Sequence, residues 1–101
     1  MDEKILLGRI LQQFIIHKYA QHPGYNKFEY VKYSKSAIYV TREEGKDTAI
    51  SFAKILVGIK GYQFDLSMYD EGPAKLRELG LTHITSPIFA LLHLLPKDAY
   101  K

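Results

Sequence analysis

The chain has no cysteine among its 101 residues. Disulfides, thiolate chemistry and zinc sites built on cysteine ligands are therefore excluded. Glycine and proline are also scarce, at seven and four residues, while 47% of the residues are hydrophobic. This composition is typical of a globular chain and not of a disordered one, and the length suits one domain, residues 1–101, with a single core.

Long apolar runs are missing as well. No run approaches the ~18 residues that a membrane span needs, so we expect no membrane contact. The N-terminal stretch, MDEKILLGRILQQF, begins with two acids and has polar residues within it, whereas a secretory signal needs a basic start and a clean apolar centre. We therefore predict a cytoplasmic location, which the absence of cysteine also suits.

The histidines form no recognisable metal or catalytic motif. Metal-binding pairs on a helix favour i,i+4 spacing, and no two of the four histidines have it. We expect them at the surface or at the edge of the core: His17, His22, His83 and His93.

The acidic residues give no catalytic pair either. Asp65, Asp70 and Glu71 flank a predicted helix start, where free N–H groups and the helix dipole favour acids. The Glu-Gly-Lys segment at 44–46 has the E-x-K spacing of metal-dependent nucleases, but it lacks a second acid to share the metal. Residues 45–48 lack the first glycine of a phosphate loop. We predict that the protein is not an enzyme and uses no metal or cofactor.

The charge of the chain, +3 overall, is unevenly distributed. From Lys4 to Arg42 there are seven Lys or Arg residues and one acid, Glu29. From residue 43 onward, seven basic and eight acidic residues nearly cancel. Such asymmetry can mark a side of the molecule that meets an acidic partner.

Helical spacing of apolar residues predicts an amphipathic N-terminal helix over 3–20, ended by Pro23 and Gly24. A second helix over 48–60, capped by Asp47 or Thr48, is apolar nearly all round and is the predicted central core helix. Two short C-terminal helices follow, over 73–80 and 86–95.

Strand signals lie between these helices. Residues 28–33 and 37–42 are aromatic and β-branched and predict a β-hairpin, with its turn at 34–36. A polar turn follows at 43–46, and loose alternation over 62–69 predicts a third strand. The predicted fold class is therefore α+β: a small antiparallel sheet packed by an N-terminal helix, a central core helix and two short C-terminal helices.

The hairpin is the main candidate for a binding surface. The simplest pairing turns four apolar or aromatic residues inward, Val31, Tyr33, Ile38 and Val40, and leaves four outward, Phe28, Tyr30, Lys32 and Tyr39. With the neighbouring basic residues, the predicted partner-binding set is Lys27, Phe28, Tyr30, Lys32, Lys35, Tyr39 and Arg42. We call this set the basic-aromatic hairpin.

Three interpretations of the basic-aromatic hairpin stay open. It can engage an acidic protein partner in a regulatory or inhibitory role, which is the function we predict first. It can instead bind single-stranded nucleic acid by base stacking and phosphate contacts. Or its aromatic residues can belong to the core, covered by the N-terminal helix, because Tyr and Phe favour half-buried strands.

The last helix raises a separate hypothesis. Its sequence IFALLHLL is apolar on almost every side and offers few polar groups that could read DNA. An apolar helix at the edge of a small domain needs a cover, so we predict a homodimer interface at Ile88, Phe89, Leu92 and Leu95.

Overall fold

A small antiparallel sheet carries the α-helices on one of its faces. The computed structural model describes residues 1–42 and 45–101, so Glu43 and Glu44, in the predicted turn at 43–46, lie outside the described residues. In chain order the main elements are α1 (Glu3–His17), β1 (Tyr19–Ala20), β2 (Phe28–Tyr33), β3 (Ala37–Thr41), β4 (Asp47–Ser51), α2 (Phe52–Phe64) and α3 (Thr85–Leu92). Short 3-10 helices lie around α3: η1 (Leu66–Asp70), η2 (Pro73–Leu79) and η3 (Lys97–Tyr100). The predicted α+β class is confirmed.

The sheet has the strand order β1-β2-β3-β4, and its two faces differ sharply. One face contributes side chains to the core that the helices also line: Ala20, Phe28, Ile38, Val40 and Ile50. Cross-strand partners share a face, and the partners on the other face are exposed: Tyr19, Glu29, Lys32, Asp47 and Ala49.

Phe28 and Tyr30 face the core, contrary to the prediction. Phe28 is 3% exposed, and the ring of Tyr30 packs edge-on against Phe14 of α1, with 5.7 Å between ring centroids. Tyr33 pairs with the core residue Ile38 and so lies on the predicted face, but at the end of the strand it is 63% exposed. Helix α1 therefore covers the aromatic face, as the third interpretation of the hairpin proposed.

A bulge in β2 explains the wrong assignment. Tyr30 pairs with Val40 and Lys32 pairs with Tyr39, so Val31 is an extra residue in β2. A bulge interrupts the strict alternation of faces, so residues 30 and 32 lie on opposite sides of the sheet. The predicted outward position is thus right for Lys32 and wrong for Tyr30.

The third strand of the predicted fold lies at a different place in the sequence. The predicted strand at 62–69 is wrong, because α2 continues to Phe64 and η1 follows it. Ile55, Ile59 and Tyr62 are buried at helical spacing, and this period outweighs the loose alternation that suggested a strand. The segment Asp47–Ser51, expected as the cap and first turn of the helix, forms β4.

Side-chain caps define where the first two helices begin. Asp2 accepts a hydrogen bond from the backbone N–H of Lys4 at 2.6 Å, and Ser51 accepts one from that of Lys54 at 3.2 Å. Helix α1 ends at His17, three residues before the predicted end, because Lys18 adopts a left-handed φ of 71°. The next two residues can then pair with β2.

The most apolar helix, α3, lies in the middle of the core. The residues of the predicted dimer interface are between 0 and 7% exposed within one chain: Ile88, Phe89, Leu92 and Leu95. Elements α1, α2, β1 and η2 of the same chain pack against α3, so the exposed apolar face that motivated a homodimer does not exist. In the described ranges, no helix combines the length and the apolar character that crossing a membrane requires.

Candidate anion-binding pocket

A polar cavity of about 460 Å³ opens at the end of the sheet where β2 and β4 begin and β3 ends. The sheet side of this cavity is lined by Asn26, Phe28, Arg42, Lys46 and Thr48. The other side is lined by η2 and the start of α3, through Arg77, His83, Thr85 and Ser86. We call it the basic pocket, and its volume lies within the range of ~300–1,000 Å³ that is usual for small-ligand sites.

The lining of the basic pocket is cationic. Arg42, Lys46 and Arg77 carry permanent positive charges at neutral pH, and no carboxylate is among the described lining residues. The ion pairs between described residues involve none of these three side chains. Like charges held around one cavity repel each other, so an anion placed among them would relieve that repulsion.

A tight turn holds two of the cations at the rim of the pocket. The backbone N–H of Arg42 donates to the carbonyl of Lys46 at 3.2 Å, and the N–H of Gly45 donates back to the carbonyl of Arg42 at 2.8 Å. Gly45 has a φ of 76°, which a glycine adopts without strain. The β3–β4 connection thereby fixes the backbones of both residues beside the cavity.

Arg42 is oriented by one hydrogen bond and has another donor to spare. Its Nη2 donates to the backbone carbonyl of His83 at 2.7 Å. Its Nε is buried and has no hydrogen-bond partner among the described residues. A buried donor without an acceptor costs about 1–3 kcal/mol.

The segment before α3 is held in an unusual conformation. His83 has a φ of 68°, in the left-handed region that non-glycine residues seldom occupy. Strained backbone of this kind persists only where neighbouring contacts enforce it, and it clusters at functional sites. The contact from Arg42 to the His83 carbonyl is one such constraint, and it places the His83 side chain at the pocket.

The first turn of α3 also faces the pocket. The residue at the cap position is Ile84, which makes no side-chain cap hydrogen bond, whereas α1 and α2 are capped by Asp2 and Ser51. The Thr85 hydroxyl is occupied, because it donates to the carbonyl of Leu81. The positive end of the helix dipole adds to the cationic character of the cavity.

The residues of the predicted basic-aromatic hairpin do not form one surface. On the outer sheet face, the Lys32 ammonium lies 4.9 Å from the Tyr39 ring centre, and that of Lys27 lies 4.8 Å from the Tyr19 ring centre. Lys27 also lies 3.7 Å from the carboxylate of Glu29, which neutralises part of its charge.

The remaining members of the set lie elsewhere. Phe28 and Tyr30 are on the core face, and Lys35 is exposed at the hairpin turn. Arg42 reaches the basic pocket at the opposite end of β3. Of the seven residues predicted to bind a partner, only Phe28 and Arg42 line the pocket, and Phe28 is almost fully buried.

Most of the pocket was missed because its residues are distant in the sequence. Arg42, Arg77 and His83 come from three separate elements and meet only in the folded chain. The sequence held one usable signal of the pocket. Ile84, the residue before Thr85, has no side-chain acceptor that could cap the first turn of a helix.

A second group of polar side chains is packed beside α3. We call it the His93 cluster, and it consists of His22, Tyr62, Tyr69, Phe89, His93 and Tyr100. The His93 ring centre lies 4.2 Å from those of Tyr69 and Phe89. Its Nδ1 is 2.9 Å from the Phe89 carbonyl oxygen, and its Nε2 is 2.9 Å from that of Tyr69.

Burial controls the titration of the His93 cluster. It lowers the pKa of His22, with a further contribution from the charge of His93, and it raises the pKa values of Tyr62, Tyr69 and Tyr100. These groups are packed ring against ring and are part of the core. Within residues 1–42 and 45–101, no group of three or more His, Asp or Glu residues could hold a metal ion.

Comparisons with protein-family models, with curated proteins and with solved structures found no match for this chain. Its function must therefore be inferred from the chemistry of its own residues.

Proposed function

We propose that this protein acts by binding an anionic partner group in the basic pocket. The observation that carries the proposal is the set of three permanent cations, Arg42, Lys46 and Arg77, around a cavity with no carboxylate among its described lining residues. An acidic protein partner was predicted from the charge of the sequence. The proposal keeps the negative charge of the partner and moves the contact from the aromatic face of the hairpin to its base.

The energetic reason is that Arg42, Lys46 and Arg77 form no ion pair with the described residues. An anion in the cavity would screen the repulsion among these cations and accept hydrogen bonds from them. Hydrogen bonds to charged groups contribute about 1.5–3 kcal/mol each, so a few of them suffice for micromolar affinity. A non-enzymatic role and a cytoplasmic location stay predictions.

Calorimetric titration with citrate and with inorganic phosphate at low salt tests the proposal. We expect binding of at least one probe by the natural protein, and its loss in the double variant Lys46→Gln, Arg77→Gln. The matched control is Lys32→Gln, Lys35→Gln, which removes the same charge from the far end of the hairpin. Equal losses in both variants would mean that only net charge matters, and no binding of either probe would refute the proposal.

Nucleic-acid binding by the hairpin is the second candidate, and the exposure of Tyr33 favours it. Tyr33 is 63% exposed and lies between Lys32 and Lys35 in the chain, so its ring is available for stacking. Tyr33 pairs with Ile38 and lies on that side of the sheet, while the outer face carries Glu29 and Asp47, which would repel a phosphate backbone. Anisotropy of a labelled single-stranded oligonucleotide, measured with Tyr33→Ser, distinguishes the candidates, because the pocket hypothesis expects no change.

A further inference from the structure

We infer that the natural occupant of the basic pocket is a small organic phosphate whose organic part is polar, such as a phosphorylated sugar. The inference rests on the proposed function, since it names the class of anion. It is carried by the number and arrangement of the donors, by the volume of the cavity and by the character of its lining.

The donors fit a phosphate better than a carboxylate. A phosphate ester presents three terminal oxygens in a tetrahedral arrangement, whereas a carboxylate presents two oxygens in one plane. Arg42 and Arg77 are planar donor forks, and guanidinium groups are the preferred bidentate partners of phosphate. The hydrogen bond from its Nη2 to the His83 carbonyl holds the Arg42 guanidinium beside the cavity.

The opposite wall supplies further groups of the right kind. Ser86 lies in the first turn of α3, where backbone N–H groups have no partner within the helix. Its exposed side chain lines the cavity, and Lys46 faces it from the β3–β4 connection. A tetrahedral group between these walls has oxygens directed toward both of them.

The cavity is larger than a phosphate alone requires. A water molecule occupies about 30 Å³ in the liquid, so a volume of about 460 Å³ leaves space for an organic portion. Every lining residue except Phe28 has a polar side chain, and Phe28 is 3% exposed. Asn26, Thr48 and His83 can exchange hydrogen bonds with hydroxyl groups, which favours a sugar over an apolar or lipid portion.

Calorimetry with glucose 6-phosphate, glucuronate and citrate tests the inference. We expect glucose 6-phosphate to bind at least about tenfold more tightly than either carboxylate, as one additional charged hydrogen bond would give. Arg42→Lys keeps the charge but loses the planar donor fork, so it should reduce that preference by about tenfold. Arg77→Gln, at an exposed residue of η2, should weaken binding in the same way if the Arg42 variant proves unstable.

Each other outcome has a distinct meaning. Tight citrate or glucuronate binding without a preference for the phosphate would overturn this inference and leave anion binding intact. Absence of binding by all three probes would overturn both. A phosphoserine peptide or a single-stranded oligonucleotide that binds more than tenfold tighter than glucose 6-phosphate would overturn the assignment to a small molecule, because the occupant would then be part of a macromolecule.

Discussion

The basic pocket and the His93 cluster both hold basic side chains, but they treat the donors of those side chains differently. In the His93 cluster, each ring nitrogen of His93 lies 2.9 Å from a backbone carbonyl oxygen. In the basic pocket, Arg42 gives one donor to His83 and keeps a buried Nε without a partner among the described residues. The described residues provide acceptors for the first group, and they provide none for the Nε of the second.

The comparison distinguishes a basic side chain that stabilises the fold from one that can bind a ligand, according to whether its polar atoms have partners among the described residues. A carbonyl oxygen can only accept, so a ring nitrogen of His93 that carries a proton donates to the carbonyl beside it. The aromatic rings of Tyr69 and Phe89 lie against the His93 ring. Both ring nitrogens of His93 thus lie beside acceptors of the chain, whereas the pocket cations lie beside an open cavity.

The largest effect is expected at alkaline pH, where ionisation of the buried tyrosines in the His93 cluster should lower the stability of the folded protein. Burial raises the pKa values of Tyr62 and Tyr100 above the ordinary value of 10. Their folded-state pKa values exceed the unfolded ones, so this contribution to stability is complete below pH ~10 and is lost as the pH rises further. Urea unfolding between pH 9 and 11.5 should show a falling midpoint, and Tyr62→Phe should reduce the fall. A flat profile would contradict this view.

Removal of the His93 side chain should have the next largest effect on stability. His93→Leu leaves the carbonyls of Tyr69 and Phe89 without that donor, and we expect a loss of about 2–4 kcal/mol in the free energy of unfolding. The control is His17→Leu, because His17 is exposed and its Nε2 lies 3.0 Å from the Oε1 of Gln13, one turn earlier in α1. Similar losses in both variants would show that His93 has no special role.

Two tyrosines of the His93 cluster allow a finer test of these hydrogen-bond assignments. The hydroxyl of Tyr100 donates to the Leu92 carbonyl, while that of Tyr62 is buried without a partner among the described residues. Tyr100→Phe should therefore cost about 0.5–1.5 kcal/mol, and Tyr62→Phe should be neutral or stabilising. Thermal unfolding of the two variants measures the difference, and the reverse order would refute the assignment of partners.

The sequence predicted those features that depend on local periodicity. The buried face of α1, with Leu6, Ile10 and Phe14, follows from helical spacing, and the hairpin follows from its β-branched and aromatic residues. The faces of β2 could not be predicted, because the bulge at Val31 is a property of its pairing with β3. A single extra residue reversed the position of Tyr30 and moved it into the core.

The candidate site was less accessible to sequence reasoning for a related reason. The pocket depends on the left-handed backbone at His83 and on its contact with Arg42, which is 41 positions earlier in the chain. No local pattern encodes such a contact. The apolar residues of α3 were recognised correctly, but the sequence does not tell whether a second copy or the same chain covers them.

The smallest expected effect is the change in stability when Lys46 and Arg77 are replaced. It is also the sharpest test of the difference between the basic pocket and the His93 cluster. Lys46 and Arg77 are exposed and form no ion pair with the residues that the structure describes. Their replacement by Gln should therefore change the free energy of unfolding by no more than about 0.5 kcal/mol in the absence of ligand. With glucose 6-phosphate present, the natural protein should gain thermal stability and the double variant should not, because a ligand stabilises only the state that binds it. A large loss without ligand would show that these cations, like His93, serve the fold. The proposed difference between His93, which stabilises the fold, and the pocket cations, which bind a ligand, would then be wrong.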